Sequence, residues 1–165
     1  MTLPKTASYF NQPLMVSIVV PEAWTGTQVD DSKFRLFGLP ESGFEEYFDE
    51  YRVSLSYERR KPDSSGQDWF KQLVGQNNAT MADDYNEYKL LEEAFYDIGS
   101  YKTYKKHYSW REEQTGLQLV QLQALLVGSP YALYIVNAAV LEPLADRYMP
   151  IFDSVLNSTR IIPRN

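Results

Sequence analysis

Hydrophobic and polar positions alternate with a period of two through most of this chain, and switch to a helical period in only two places. The longest apolar pattern lies between Leu117 and Leu156. LQLVQLQALLV, then GSP, then YALYIVNAAV read as two long strands around a three-residue turn at Gly128–Pro130. LEPLADRYMPIFDSVL follows with apolar residues at helical spacing, so this segment should fold back over the strands. The remaining chain is expected to pack around this unit.

Residues 1–13 carry Pro4 and Pro13 among small polar residues and read as a loosely ordered lead-in; residues 14–165 read as a single α+β domain. LMVSIVV is a strand ended by Pro21, and Trp24 anchors the following turn on the core edge. KFRLFG is a second strand with Phe34 and Leu36 on one face. Residues 39–50 form a loop with one helical turn. In YRVSLSYE, Tyr51, Val53, Leu55 and Tyr57 share a buried face, and the alternate residues are wet. Ser65 reads as an N-cap, with Asp68 three residues later. Trp69, Phe70, Leu73 and Val74 line a short helix that Gly75 and Asn77-Asn78 should stop. NEYKLLEE with AFYDIG, and then residues 100–113, complete the strands. Pro143 suits the first turn of the last helix, whereas Pro150 should kink or split it.

Register decides which side chains share a face, because a slip of one residue turns every side chain over. The turn at Gly128–Pro130 pairs Leu126 with Ala132, Leu122 with Val136 and Val120 with Ala138. That face is apolar and should receive the last helix. The other face holds Leu125 and Leu133 near the turn, then Gln123, Gln121 and Asn137. A two- or four-residue turn around Thr115-Gly116 would set Tyr104, Tyr108 and Trp110 beside the glutamines; a three-residue turn would set them on the aliphatic face. Packing aromatics on aliphatics favours the second. It gathers His107, Ser109, Gln121, Gln123 and Asn137 into a polar patch beside Leu125 and Leu133, the candidate binding face.

Composition narrows the chemistry. The 165 residues suit one domain with a sizeable core. A net charge of −6 gives no basic footprint for nucleic acid. Thirteen tyrosines fit a strand-rich fold or a half-exposed binding surface. The absence of cysteine excludes disulfides, thiolate metal sites and cysteine nucleophiles. His107 is the sole histidine, and no P-loop, GxGxxG, GxSxG or HExxH occurs. The acid pairs lack the spacing of a calcium loop. No catalytic residue, cofactor or metal is expected. Membrane insertion is not expected either, since no span of the required length occurs. As given, the chain should be cytoplasmic; an exported or lipoprotein origin would require a leader.

Several features combine into a resemblance. A strand runs into the turn Pro21-Glu22-Ala23-Trp24, and the strands Phe34–Gly38 and YRVSLSY follow. A helix with Trp69-Phe70 comes next, then a meander into ALYIVNAAV and a closing FDSVLNSTRI helix. This order resembles the PsbP/Mog/DcrB-like superfamily, with the DcrB-like and DUF1795-type proteins as the nearest branches. The resemblance implies a twisted antiparallel sheet of about six to seven strands flanked by helices, an α/β/α sandwich, and a non-enzymatic role. Members serve as photosystem accessory subunits, Ran-binding factors, envelope lipoproteins or chaperones of type VI secretion effectors. The lipoprotein branch carries a leader and a lipidated cysteine, and neither is expected here.

These readings point to a non-catalytic protein-binding module, a cytosolic adaptor or chaperone such as a type VI secretion effector chaperone. It should act as a monomer or homodimer on a protein partner. The alternatives are a small-molecule-binding protein, which would place His107 in a closed pocket, and a structural subunit of an envelope or secretion assembly.

Overall fold

Strand-forming residues dominate the order of elements. A computed structural model describes residues 4–61, 69–128 and 132–163. It contains β1 (Thr6–Asn11), β2 (Val16–Pro21), β3 (Thr25–Asp30), β4 (Lys33–Phe37), the single turn α1 (Phe48–Tyr51) and β5 (Ser54–Arg60). The helices α2 (Trp69–Ala79) and α3 (Met81–Asp84) lead into β6 (Lys89–Ile98), β7 (Tyr101–Arg111), β8 (Gln118–Gly128) and β9 (Ala132–Leu141). The chain closes with α4 (Ala145–Asn157) and β10 (Arg160–Ile161).

Seven antiparallel strands form the main sheet in the order β3-β4-β5-β9-β8-β7-β6. Helices flank it, so the fold is α+β around one large antiparallel sheet. A second sheet, β1-β2-β10, joins α4 over one face of the first. Leu14, Val16 and Ile18 pack there with Phe34, Leu55, Tyr57, Leu122, Val136 and Phe152 in one cluster. The Phe34 and Tyr57 rings stack with centroids 5.2 Å apart, and the Tyr57 hydroxyl meets Thr159 Oγ1 at 2.5 Å. A buried phenol needs such a partner. α4 presents Tyr148, Met149, Phe152, Val155 and Leu156 to this core. Pro150 lies inside α4 on its exposed side and does not split it. The carbonyl it leaves without a helical donor belongs to Asp146, an exposed residue. Ser158 ends the helix and accepts the Val19 amide at 2.8 Å, tying α4 to β2.

Several expectations are corrected. Residues 6–11 are not loosely held: β1 pairs with β2 along its whole length. Only Asn11 of that strand is buried, so the sequence showed no apolar alternation there. β3 was missed for the same reason, since all six of its residues are exposed. Tyr51 belongs to α1 and not to the strand that follows. α2 runs through Gly75 and the asparagine pair to Ala79, because both asparagines turn onto the sheet. Ser65 and Asp68 lie outside the described residues, as do Ser129 and Pro130 of the expected turn.

Candidate functional site

The two faces of the main sheet are set by two hairpins. Between β7 and β8 the chain turns through Glu113–Gly116. Glu112 and Leu117 pair across it at 2.9 Å, and Gly116 takes a φ of +72° while donating to the Glu112 carbonyl. This is an even, four-residue connection. Tyr104 therefore lies opposite Leu125, Lys106 opposite Gln123, and Tyr108 opposite Gln121. The aromatics share a face with the glutamines, contrary to the sequence reading. Phenols need polar partners as well as apolar surroundings: Tyr108 donates to Gln121, and Tyr104 donates to Glu93 at 2.6 Å.

Between β8 and β9 the register is two residues from the expected one, with Leu126 opposite Tyr134 and Gly128 opposite Ala132. A shift of two keeps every side chain on its face. Gly128 stays within the strand because the Tyr101 ring occupies the place of its Cβ, 2.0 Å away.

The seven residues of the candidate face consequently divide. His107 and Ser109 pair with Leu122 and Val120 and lie buried on the α4 side. Gln121, Gln123, Leu125, Leu133 and Asn137 do share the opposite face. Of these, Leu125 and Leu133 are buried with Val74 of α2 and Tyr104, while Asn137 stands exposed between Ser56 of β5 and Gln123 of β8.

His107 is an interlayer tie. Its Nε2 lies 2.9 Å from Asp153 Oδ1 on α4 and its Nδ1 is 3.8 Å from Glu92; Lys105 Nζ is 3.2 Å from the same Asp153 oxygen. Burial raises the Asp153 carboxyl, but the hydrogen bond and charge of His107, with Lys105, outweigh it and hold it below its ordinary value. Asp153 engages Nε2, while Nδ1 lies beyond hydrogen-bond distance of Glu92.

On the other side, α2 is fastened by polar side chains. Asn77 donates to Gln123 at 2.7 Å, Asn78 donates to the Tyr104 hydroxyl at 2.9 Å, and Asn78 accepts from Lys106 Nζ at 2.6 Å. Burial of the Lys106 ammonium, 0% exposed, pulls its pKa down to about 8. Burial likewise lifts Tyr104 to about 12, helped by its bond to Glu93. Sequence reasoning missed Asn77, Asn78 and Lys106, although the signal was present. Phe70, Leu73, Val74, Asn77, Asn78 and Met81 continue one stripe at helical spacing.

Beyond α2 the face becomes a half-exposed strip across β9, β5 and β4. Asn137 and Ala139 lie on β9, Ser54 and Glu58 on β5, and Lys33, Arg35 and Phe37 on β4, whereas Ser56 between them is buried and not wet as expected. The guanidiniums of Arg52 and Arg35 sit 4.1 and 5.9 Å from the centre of the Phe37 ring. This strip can bind by hydrogen bonds, cation–π contact and modest apolar area. Among the described residues, no group of three or more histidine, aspartate or glutamate side chains is placed to hold a metal ion. No described helix is long and apolar enough to cross a membrane.

A large antiparallel sheet between helices, bearing a mixed polar and apolar face, defines the class: an α+β fold built on one seven-stranded antiparallel sheet. No family model matches the chain, and no curated protein matches it by sequence. Solved structures do match over nearly its whole length. Cyanobacterial PsbP (CyanoP) from Synechocystis is similar with a TM-score of 0.65 at 14% identity, covering 98% of this chain and 95% of that one. LpqN of Mycobacterium tuberculosis, involved in cell envelope biogenesis, has a TM-score of 0.66 at 12% identity, covering 96% and 91%. The Ran-binding protein Mog1p of Saccharomyces cerevisiae has a TM-score of 0.61 at 11% identity, covering 96% of both chains. At these identities the likeness is one of fold.

Proposed function

We propose that this protein is a non-catalytic protein-binding module, an adaptor or chaperone, that engages its partner on the strip running from Asn137 across β5 to β4. The observation that carries this reading is the exposed Asn137 in the middle of the main sheet, on the same face as half-exposed Arg35 and Phe37 two strands away. Antiparallel sheets commonly leave one face to solvent, and a polar side chain open there, with a cation and a ring two strands away on the same face, is a ready contact surface. A Ran-binding protein and an envelope-biogenesis protein of the same fold support a binding role. A chaperone of secretion effectors is the more specific form of this proposal.

The test is affinity purification from the native host under gentle lysis, comparing the wild type with Asn137→Arg and Phe37→Glu. A partner retained by the wild type and lost from both variants, with circular dichroism unchanged, supports the reading. A partner retained equally by all three, or none recovered with the wild type, contradicts it.

A further inference from the structure

Among the described residues the main sheet ends in two unpaired edge strands, β3 and β6, and they are built differently. β3 is six residues long, with Val29 as its large exposed apolar residue and a register shift at Gln28/Asp30. Its Gln28 amide donates back to the carbonyls of Asp30 and Lys33, closing that end. β6 is ten residues long and leaves Leu90, Leu91 and Phe95 exposed, Phe95 at 58%. A bulge at Leu91 interrupts its pairing with β7, but Glu92–Ile98 then run in unbroken register. Every second backbone N–H and C=O along such an edge lacks a strand partner, which is the template that strand addition uses.

The side chains of β6 choose between occupants. A second copy added antiparallel and centred on Glu92–Ile98 would set Glu93 against Asp97, like charges directly opposite. A cationic segment meets Glu92, Glu93 and Asp97 favourably. The chain leading into β6 strengthens that choice. Residues 82–87 form one wall of an open concavity of about 640 Å³, and the β7–β8 hairpin forms another. Asp83, Asp84, Glu87, Glu112 and Glu113 line it with Arg111, a local net charge of −4 out of the chain's −6. Tyr85 and Trp110, whose ring centres are 5.2 Å apart, add aromatic surface there. Acids around a concavity focus the field, and aromatic faces attract cationic side chains.

We propose that the outer edge of β6 accepts, by strand addition, an extended lysine- and arginine-rich segment of a partner protein that continues into this acidic concavity. This edge lies at the opposite margin of the sheet from β3 and apart from the Asn137 strip, so either proposal can fail without the other.

The full-length protein should be probed by amide hydrogen exchange with a short synthetic peptide of alternating lysine and valine, matched to β6 in length. Its glutamate–valine counterpart and a proline-interrupted lysine version serve as controls. The lysine peptide should slow the outward β6 amides by about tenfold or more, and neither control should. Leu91→Lys should weaken the protection at least severalfold, since that residue is exposed and need not disturb the core. Asp83→Asn with Glu113→Gln should reduce its salt dependence. Protection equal with the glutamate peptide, protection confined to β3, or none at millimolar lysine peptide would overturn the proposal. So would β6 protection that rises with protein concentration alone, which would place a second copy on the edge.

Discussion

The two faces of the main sheet are covered in opposite ways. On one, α4 and the small sheet bury an unbroken apolar layer, with Phe152, Leu122 and Leu55 fully enclosed. On the other, Val74 is the one buried side chain among the described residues of α2, which holds its place through Asn77, Asn78 and Lys106. The first face is closed by a large apolar area, the second by a small apolar cluster and a few hydrogen bonds. A protein that must stay folded yet meet a partner has reason to divide its sheet in this way, because lightly covered regions open at low free energy.

The largest expected effect lies on the sealed face. Phe152→Ala should cost about 3–5 kcal/mol in denaturant unfolding, whereas Val74→Ala on α2 should cost about 1.5 kcal/mol. Equal losses would remove the distinction. Lys106 gives the next effect, read by pH. Its pKa falls to about 8 in the fold from an ordinary 10.5, so the unfolded chain binds more protons between those values. Stability should therefore rise as pH increases above about 8. Near pH 10 the tyrosines raised by burial, Tyr96 and Tyr104 among them, begin to act in the opposite sense. The difference between wild type and Lys106→Met across pH 8–10 isolates the lysine; a flat difference would show that its burial costs nothing.

Asp153→Asn should cost about 1.5–3 kcal/mol at neutral pH, because the charge-assisted bond to His107 is lost. The Asp153 carboxyl is depressed in the fold, so its contribution is full above the ordinary 3.8 and disappears as pH falls below it. Wild type and variant should converge in acid. The smallest effect is a gain: Gly75→Ala should stabilise by about 1 kcal/mol, since a Cβ there meets nothing within 4 Å and alanine favours the helix. A loss would mean that this position packs more closely than its open surroundings indicate.

Much of the fold was legible because burial wrote it into the pattern. Phe34 with Leu36, Leu55 with Tyr57, and Tyr148, Phe152, Val155 and Leu156 of α4 all show the period of their element, and each proved buried. β1 and β3 were illegible because their side chains are largely exposed and carry no alternation. The candidate site was half legible. Parity placed Gln121, Gln123, Leu125, Leu133 and Asn137 together even with the β8–β9 register two residues out. His107 and Ser109 were misplaced because an even turn at Glu113–Gly116 was traded for aromatic packing on aliphatics. That choice overlooked what the Tyr104 and Tyr108 hydroxyls require. Asn77-Asn78 read as a helix stop, although their amides were needed on the sheet.

Native-state hydrogen exchange tests the contrast between the faces most directly. The amides of α4 should exchange only by global unfolding, with the free energy of the whole domain, and those of α2 should open at a clearly lower one. If α2 and α4 exchange with the same free energy and the same denaturant dependence, both faces are sealed alike, and the division drawn here is contradicted.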